Sequence, residues 1–129
     1  MSPMIGFTDK DLLRGTVVIP AWYRVRIDAV GEKLSKDGGS TNYPVEGIIL
    51  KNADDGTETF AKVPLDWNFN SKAIGFAVGY LKALGIDVET NKRYDLSATT
   101  GMEVEIFVEN DMYEGRIVNR VNHKYRPAR

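Results

Sequence analysis

From Gly15 to Val30 the chain alternates, with Tyr23, Val25, Ile27 and Ala29 interleaved with Trp22, Arg24, Arg26 and Asp28. A period of two is that of a strand with one buried face, so Tyr23, Val25 and Ile27 are assigned to the core and Pro20 to an edge or bulge. The glycine-rich stretch from Ser35 to Asn42 carries turn formers and little that can pack. A second strand is read from Tyr43 to Lys51 through Val45, Ile48, Ile49 and Leu50, a turn at Asp54-Asp55-Gly56, and a return strand from Thr57 to Val63. The period then changes. Ile74, Ala77, Val78, Leu81 and Leu84 form one helical stripe between Asn70 and Leu84, with Asn70 or Ser71 as N-cap and Gly85 as a left-handed C-cap residue. Two further strands, Met102 to Val108 and Gly115 to Val121, are joined by residues 109–113.

The order is strand, strand, strand, helix, strand, strand in 129 residues, which is one domain's worth. Five strands with one helix between the third and fourth is the element order of the OB-fold. The expected class is therefore an all-β barrel with one helix, a five-stranded Greek-key barrel of OB type. An SH3-like barrel or an α+β domain is the alternative. The domain is expected to span residues 1–129, with a loose N-terminal arm over about 1–13 and a basic C-terminal tail over about 123–129. Trp67 and Phe69, just ahead of the helix, are assigned to packing rather than binding.

Composition removes several kinds of chemistry. Cysteine is absent and His123 is the single histidine, which excludes a disulfide framework, a thiol nucleophile and a multi-histidine metal site. No apolar run reaches the roughly 20 residues of a membrane span. Met1-Ser2-Pro3-Met4 lacks the regions of a secretory signal, so a cytoplasmic location is expected. No serine or acid is placed to orient His123, Asp54 and Asp55 are turn residues, and Gly38-Gly39 lacks a phosphate-loop lysine. No catalytic residue, metal or cofactor is expected, and the chain is read as a binding protein rather than an enzyme.

Net charge is −1, but its distribution is uneven. Residues 103–114 hold Glu103, Glu105, Glu109, Asp111 and Glu114 with no base, and residues 116–129 hold Arg116, Arg120, Lys124, Arg126 and Arg129 with no acid. One reading is two strand faces of opposite sign that pair with each other. The other is a positive side that meets a polyanion. Single-stranded nucleic acid is held by aromatic platforms for the bases beside cations for the backbone. Trp22 shares a strand face with Arg24 and Arg26; Lys33, Lys36 and Tyr43 flank the glycine-rich loop; and Tyr113, Arg116, Arg120, Lys124, Tyr125 and Arg126 cluster at the end. The repeated pairing of aromatic with cation favours nucleic-acid binding, and these twelve residues are its candidates. A protein-interaction module on the same small barrel is the alternative function.

Several segments carry a family resemblance. Ile19 to Ile27, Glu32 to Lys36, Leu81 to Ile86, Gly101 to Ile106, Tyr113 to Arg116 and Asn119 to Val121 resemble, in order and spacing, small tailed-phage single-stranded-DNA-binding proteins of the OB-fold type. The resemblance covers roughly residues 15–127. It implies a sequence-tolerant binder of phage replication or recombination, with single-stranded DNA as partner, RNA left open, and replication or recombination proteins and further copies of the chain as additional partners. The chain departs from that pattern at its end: Tyr125-Arg126-Pro127-Ala128-Arg129 is basic, where several such proteins carry an acidic recruiting tail.

Overall fold

The alternation in the first strand sorts side chains as expected: Tyr23, Val25 and Ile27 are buried, while Trp22, Arg24 and Arg26 lie half-exposed on the other face. The computed structural model describes residues 3–7 and 16–128, the side chains of Phe60 and Ala61 excepted. Most of the expected N-terminal arm, Gly15 at the expected start of the first strand, and Arg129 of the tail lie outside the described residues.

The elements are β1 (Ala21–Val30), β2 (Lys33–Leu34), β3 (Thr41–Asn52), β4 (Glu58–Asn70), a 3₁₀ turn (Ser71–Ala73), α1 (Phe76–Ala83), a second 3₁₀ turn (Leu96–Thr99), β5 (Glu103–Tyr113) and β6 (Arg116–Pro127). All strand pairs are antiparallel, and the neighbours run β4–β3–β1–β5–β6. β2 pairs with Thr41 and Asn42 of β3, because the first strand breaks at residues 31–32 and then resumes. The sheet thus has six strands rather than five. It is barrel-like but not closed, since β4 and β6 form no ladder with each other. In the gap between them the Asn119 amide accepts from Val18 N (2.9 Å) and donates to the Thr16 carbonyl (2.8 Å), which fixes residues 16–18 beside β6.

The core lies between the inner face of the sheet and α1, which packs chiefly on β6. Tyr80 is its centre. The ring is fully buried against Trp67, Phe69 and Tyr125, and its hydroxyl lies 2.7 Å from Thr99 Oγ1. Burial pushes the Tyr80 phenol up to about 12 despite that hydrogen bond. Trp67 and Phe69 are core residues, 8% and 1% exposed.

Several elements depart from the sequence reading. β1 starts only at Ala21, and β4 runs on past Val63 to Asn70. The helix begins later. Asn70 does cap, accepting from Lys72 N at 2.9 Å, but what it caps is the 3₁₀ turn, and α1 starts only after Gly75. Its buried face is Ala77, Tyr80, Leu81 and Ala83, rotated toward Tyr80, so Ile74 stays 45% exposed. The last hairpin is longer on both arms. Residues 109–113 continue β5 rather than connecting it, and the turn is Glu114-Gly115 with φ of 50° and 77°, the left-handed pair of a two-residue type I′ hairpin. Finally, residues 123–127, expected in a loose basic tail, belong to β6, and residues 125–127 pair with 104–106. They are held because the Tyr125 ring enters the core and Arg126 meets Glu105.

Candidate nucleic-acid interface

Two groups of candidate residues emerge, at different parts of the molecule. The first lies on the outer face of β1, β5 and β6. Register sets Trp22 opposite Phe107, Arg24 opposite Glu105, and Arg26 opposite Glu103. Trp22 meets Phe107 edge to face, with centroids 5.6 Å apart, and the Arg126 guanidinium lies 4.4 Å over the indole. Each cation there has an acid. Arg24 Nε donates to Glu103 (2.5 Å), Arg26 Nε to Asp28 (3.0 Å), and Arg120 to Asp111 (2.5 Å). Lys124 stands 3.7 Å from Glu109 and 5.4 Å from the Phe107 centroid. Arg126 bridges Asp54 at 2.5 Å and Glu105.

Glu105 is only 2% exposed, the one buried charged side chain among the described residues. A carboxylate taken out of water needs an opposite charge and hydrogen bonds, which Arg126 supplies. Hydrogen bonds to Asp54 and Glu105 in turn hold the guanidinium still more firmly in its charged form. The acidic run of β5 and the basic run of β6 are therefore antiparallel partners. A phosphate approaching this face competes with carboxylates already in place.

The second group surrounds the other end, where residues 31–43 meet the start of the helix. The loop is a built turn. The Asp37 carboxylate accepts from Ser35 Oγ (2.6 Å) and Gly39 N (2.8 Å), and Gly38 takes φ 72°. Those bonds, the Ser35 hydroxyl first, hold the Asp37 carboxyl below its usual range. The loop is docked by Ser71 Oγ, which accepts from Thr41 N (2.9 Å), and by the Asn70 amide, which donates to Ser40 Oγ (3.0 Å) and Asn42 Oδ1 (2.8 Å). Lys33, Lys36 and Lys72 are exposed here, and none makes an ion pair with a described residue.

Beside them opens a cleft of about 670 Å³. Its sheet wall is residues 30–32 with Tyr43, its floor is Ile74, Ala77, Val78 and Leu81, and its far wall is the segment Val88 to Ser97. Tyr94 fixes that wall, because its hydroxyl donates to the Asp87 carbonyl (2.8 Å) and accepts from Glu89 N (2.7 Å). Lys92 is bound to Glu89 at 2.5 Å, while Arg93 is exposed and makes no ion pair with a described residue.

The remaining candidates divide. Tyr113 and Arg116 are exposed and face each other across the hairpin tip, with Met112 and Ile117, also exposed, as the next pair. Tyr125 is half-buried, with its ring packed against the core. Its ring lies 5.5 Å from Tyr80 and 6.2 Å from Phe69, its hydroxyl is 2.9 Å from His123 Nδ1, and burial pushes the phenol far up. His123 stacks on Phe76 (4.5 Å, 14°) at φ 53°, where β6 sets three residues, 122–124, against Phe107 alone. Phe107, Lys72, Arg93 and Tyr94 were not singled out from the sequence. Phe107 was legible as the outward residue of an alternating strand; the other three have no local signal.

A scan against protein families finds no match, and a search of curated proteins finds none. Among the described residues no helix is long and apolar enough to cross a membrane, and no cluster of His, Cys, Asp or Glu is placed to hold a metal ion.

Proposed function

We propose that the protein is a non-enzymatic, sequence-tolerant binder of single-stranded DNA, built on a partly open barrel of OB type and serving phage replication or recombination. The strand neighbours β4–β3–β1–β5–β6, with the helix between β4 and β5, support the OB assignment, which tolerates an open seam. The observation that carries the function is a group of exposed cations that make no ion pair with a described residue, Lys33, Lys36 and Lys72 at the loop and the start of the helix and Arg93 on the wall of the cleft that Tyr43 and Tyr94 also line. Cations free of acids release counterions when they meet phosphate, and nearby aromatics accept bases. The sugar is not read by stacking, so RNA is a competitor to be measured rather than assumed absent.

A second reading rests on one feature, the exposed Met112, Tyr113 and Ile117 at the hairpin tip, which would suit a protein partner or a second copy. The deciding experiment is anisotropy titration of labelled oligo-dT, with duplex of equal length and oligo-rU as competitors, at several salt concentrations. The binder reading expects preference for the single strand and an affinity that falls as salt rises. No binding to any single strand, or equal binding to duplex, would overturn it and leave the hairpin-tip reading.

A further inference from the structure

We propose that the cleft between Tyr43, α1 and the Val88–Ser97 wall is a nucleotide subsite that takes one unstacked base with its adjoining phosphate. The inference rests on the single-strand reading but goes beyond it, because the sequence candidates included only Tyr43 from this cleft.

Three features converge there. The floor is apolar, with Ile74 exposed and Val78 half-buried beside the buried Ala77 and Leu81, which suits a flat ring. The volume, about 670 Å³, falls within the 300–1,000 Å³ typical of small-molecule sites. Three polar groups at its lining have no hydrogen bond or ion pair with any described residue: the Tyr43 hydroxyl, the Glu32 carboxylate and the Arg93 guanidinium. By contrast, the other polar lining groups are already occupied. Tyr94 holds Asp87 and Glu89, Lys92 holds Glu89, and Ser97 Oγ donates to Asp95 at 2.6 Å.

That division assigns roles. A carboxylate repels phosphate and accepts N–H, so Glu32 on the sheet wall addresses the donor edge of a base. The Tyr43 hydroxyl is free to donate to a ring carbonyl or nitrogen. Arg93 on the far wall, with its planar fork, addresses the phosphate. Lys33 and Lys36, which follow the sheet wall in the chain, and Lys72, whose ammonium lies against Gly39 of the loop, extend the positive field outward along a continuing strand. An apolar peptide side chain would fill the floor but leave the Arg93 guanidinium unanswered.

The test uses oligo-dT carrying 5-iodouracil, irradiated in complex with the full chain, with the adducts mapped by mass spectrometry. Adducts on Tyr43 or Tyr94 are expected. Ile74→Trp, made at a half-exposed position that does not threaten folding, fills the floor and should lower oligo-dT affinity about fivefold or more, the equivalent of one stacked base. A separate titration with dTMP asks whether the site takes the free nucleotide as well. Adducts confined to Trp22 or Tyr113, with Ile74→Trp binding normally, would overturn the cleft while leaving the single-strand reading intact. Saturation by dTMP without oligo binding would support the cleft and overturn the strand reading. Failure of both ligands would overturn both.

Discussion

The outer face of β1, β5 and β6 and the cleft end carry similar residues, aromatics beside arginine and lysine, and differ in what those cations already hold. On the outer face Arg24, Arg26, Arg120, Lys124 and Arg126 each stand against a carboxylate. At the cleft end Lys33, Lys36, Lys72 and Arg93 stand against none among the described residues. A paired cation contributes little field to a polyanion, and breaking the pair costs what the pair supplies. Counting basic residues in a sequence treats the two regions alike; the geometry separates a structural ladder from an available surface.

Removing the Arg126 side chain should have the largest effect on the outer face. Arg126→Ala takes from the buried Glu105 its guanidinium and from Trp22 its covering cation, and should cost about 2–3 kcal/mol in urea unfolding, below the full range for a wholly buried pair because Arg126 is partly exposed. A stability change under about 0.5 kcal/mol would show that the ladder does not support the fold.

Trp22→Ala is the next largest effect. It should lower stability by about 1–2 kcal/mol through lost packing on Phe107 and Arg126, while oligo-dT affinity changes less than twofold. If Trp22 were a base platform the loss would instead be roughly 5- to 150-fold. A folded variant that binds that much more weakly would move the interface onto the outer face.

The smallest effect concerns acid. Burial holds His123 below its ordinary pKa, so the folded protein binds this proton less readily than the unfolded chain. The stability this group contributes is complete above about pH 6.5 and declines as pH falls from there toward the lower folded value. The Asp111–Arg120 pair persists to more acidic pH, because the Met112 amide, and then Arg120, hold the Asp111 carboxyl below its usual range. His123→Asn, which tolerates the positive φ, should flatten the denaturation midpoint between pH 7 and 5. An unchanged slope would show that His123 is not its source.

Where local chemistry decides, the sequence was legible. Alternation placed Tyr23, Val25 and Ile27 inward, Asn70 caps, and Gly85 takes φ 82°. What could not be read was register. The acidic and basic runs became a ladder because the two-residue turn at Glu114-Gly115 sets Asp111 beside Arg120, and the bulge at residues 122–124 then shifts the pairing by two so that Glu105 meets Arg126. Beyond that bulge the shifted register carries Tyr125 and Arg126 out of an expected tail and into the sheet. The cleft was illegible for another reason. It joins residues 30–32, 43, 74–81 and 88–97, and the last of these stretches has no periodicity to announce a wall.

The central claim, that the unpaired cations and not the paired ones meet the nucleic acid, is tested most directly by the salt dependence of oligo-dT binding in two double variants. Lys33→Ala with Lys36→Ala should reduce the slope of log affinity against log salt by up to about 1.4, about 0.7 for each lost phosphate contact, whereas Arg120→Ala with Lys124→Ala should leave it unchanged. A slope that falls in the second variant and holds in the first would contradict the account.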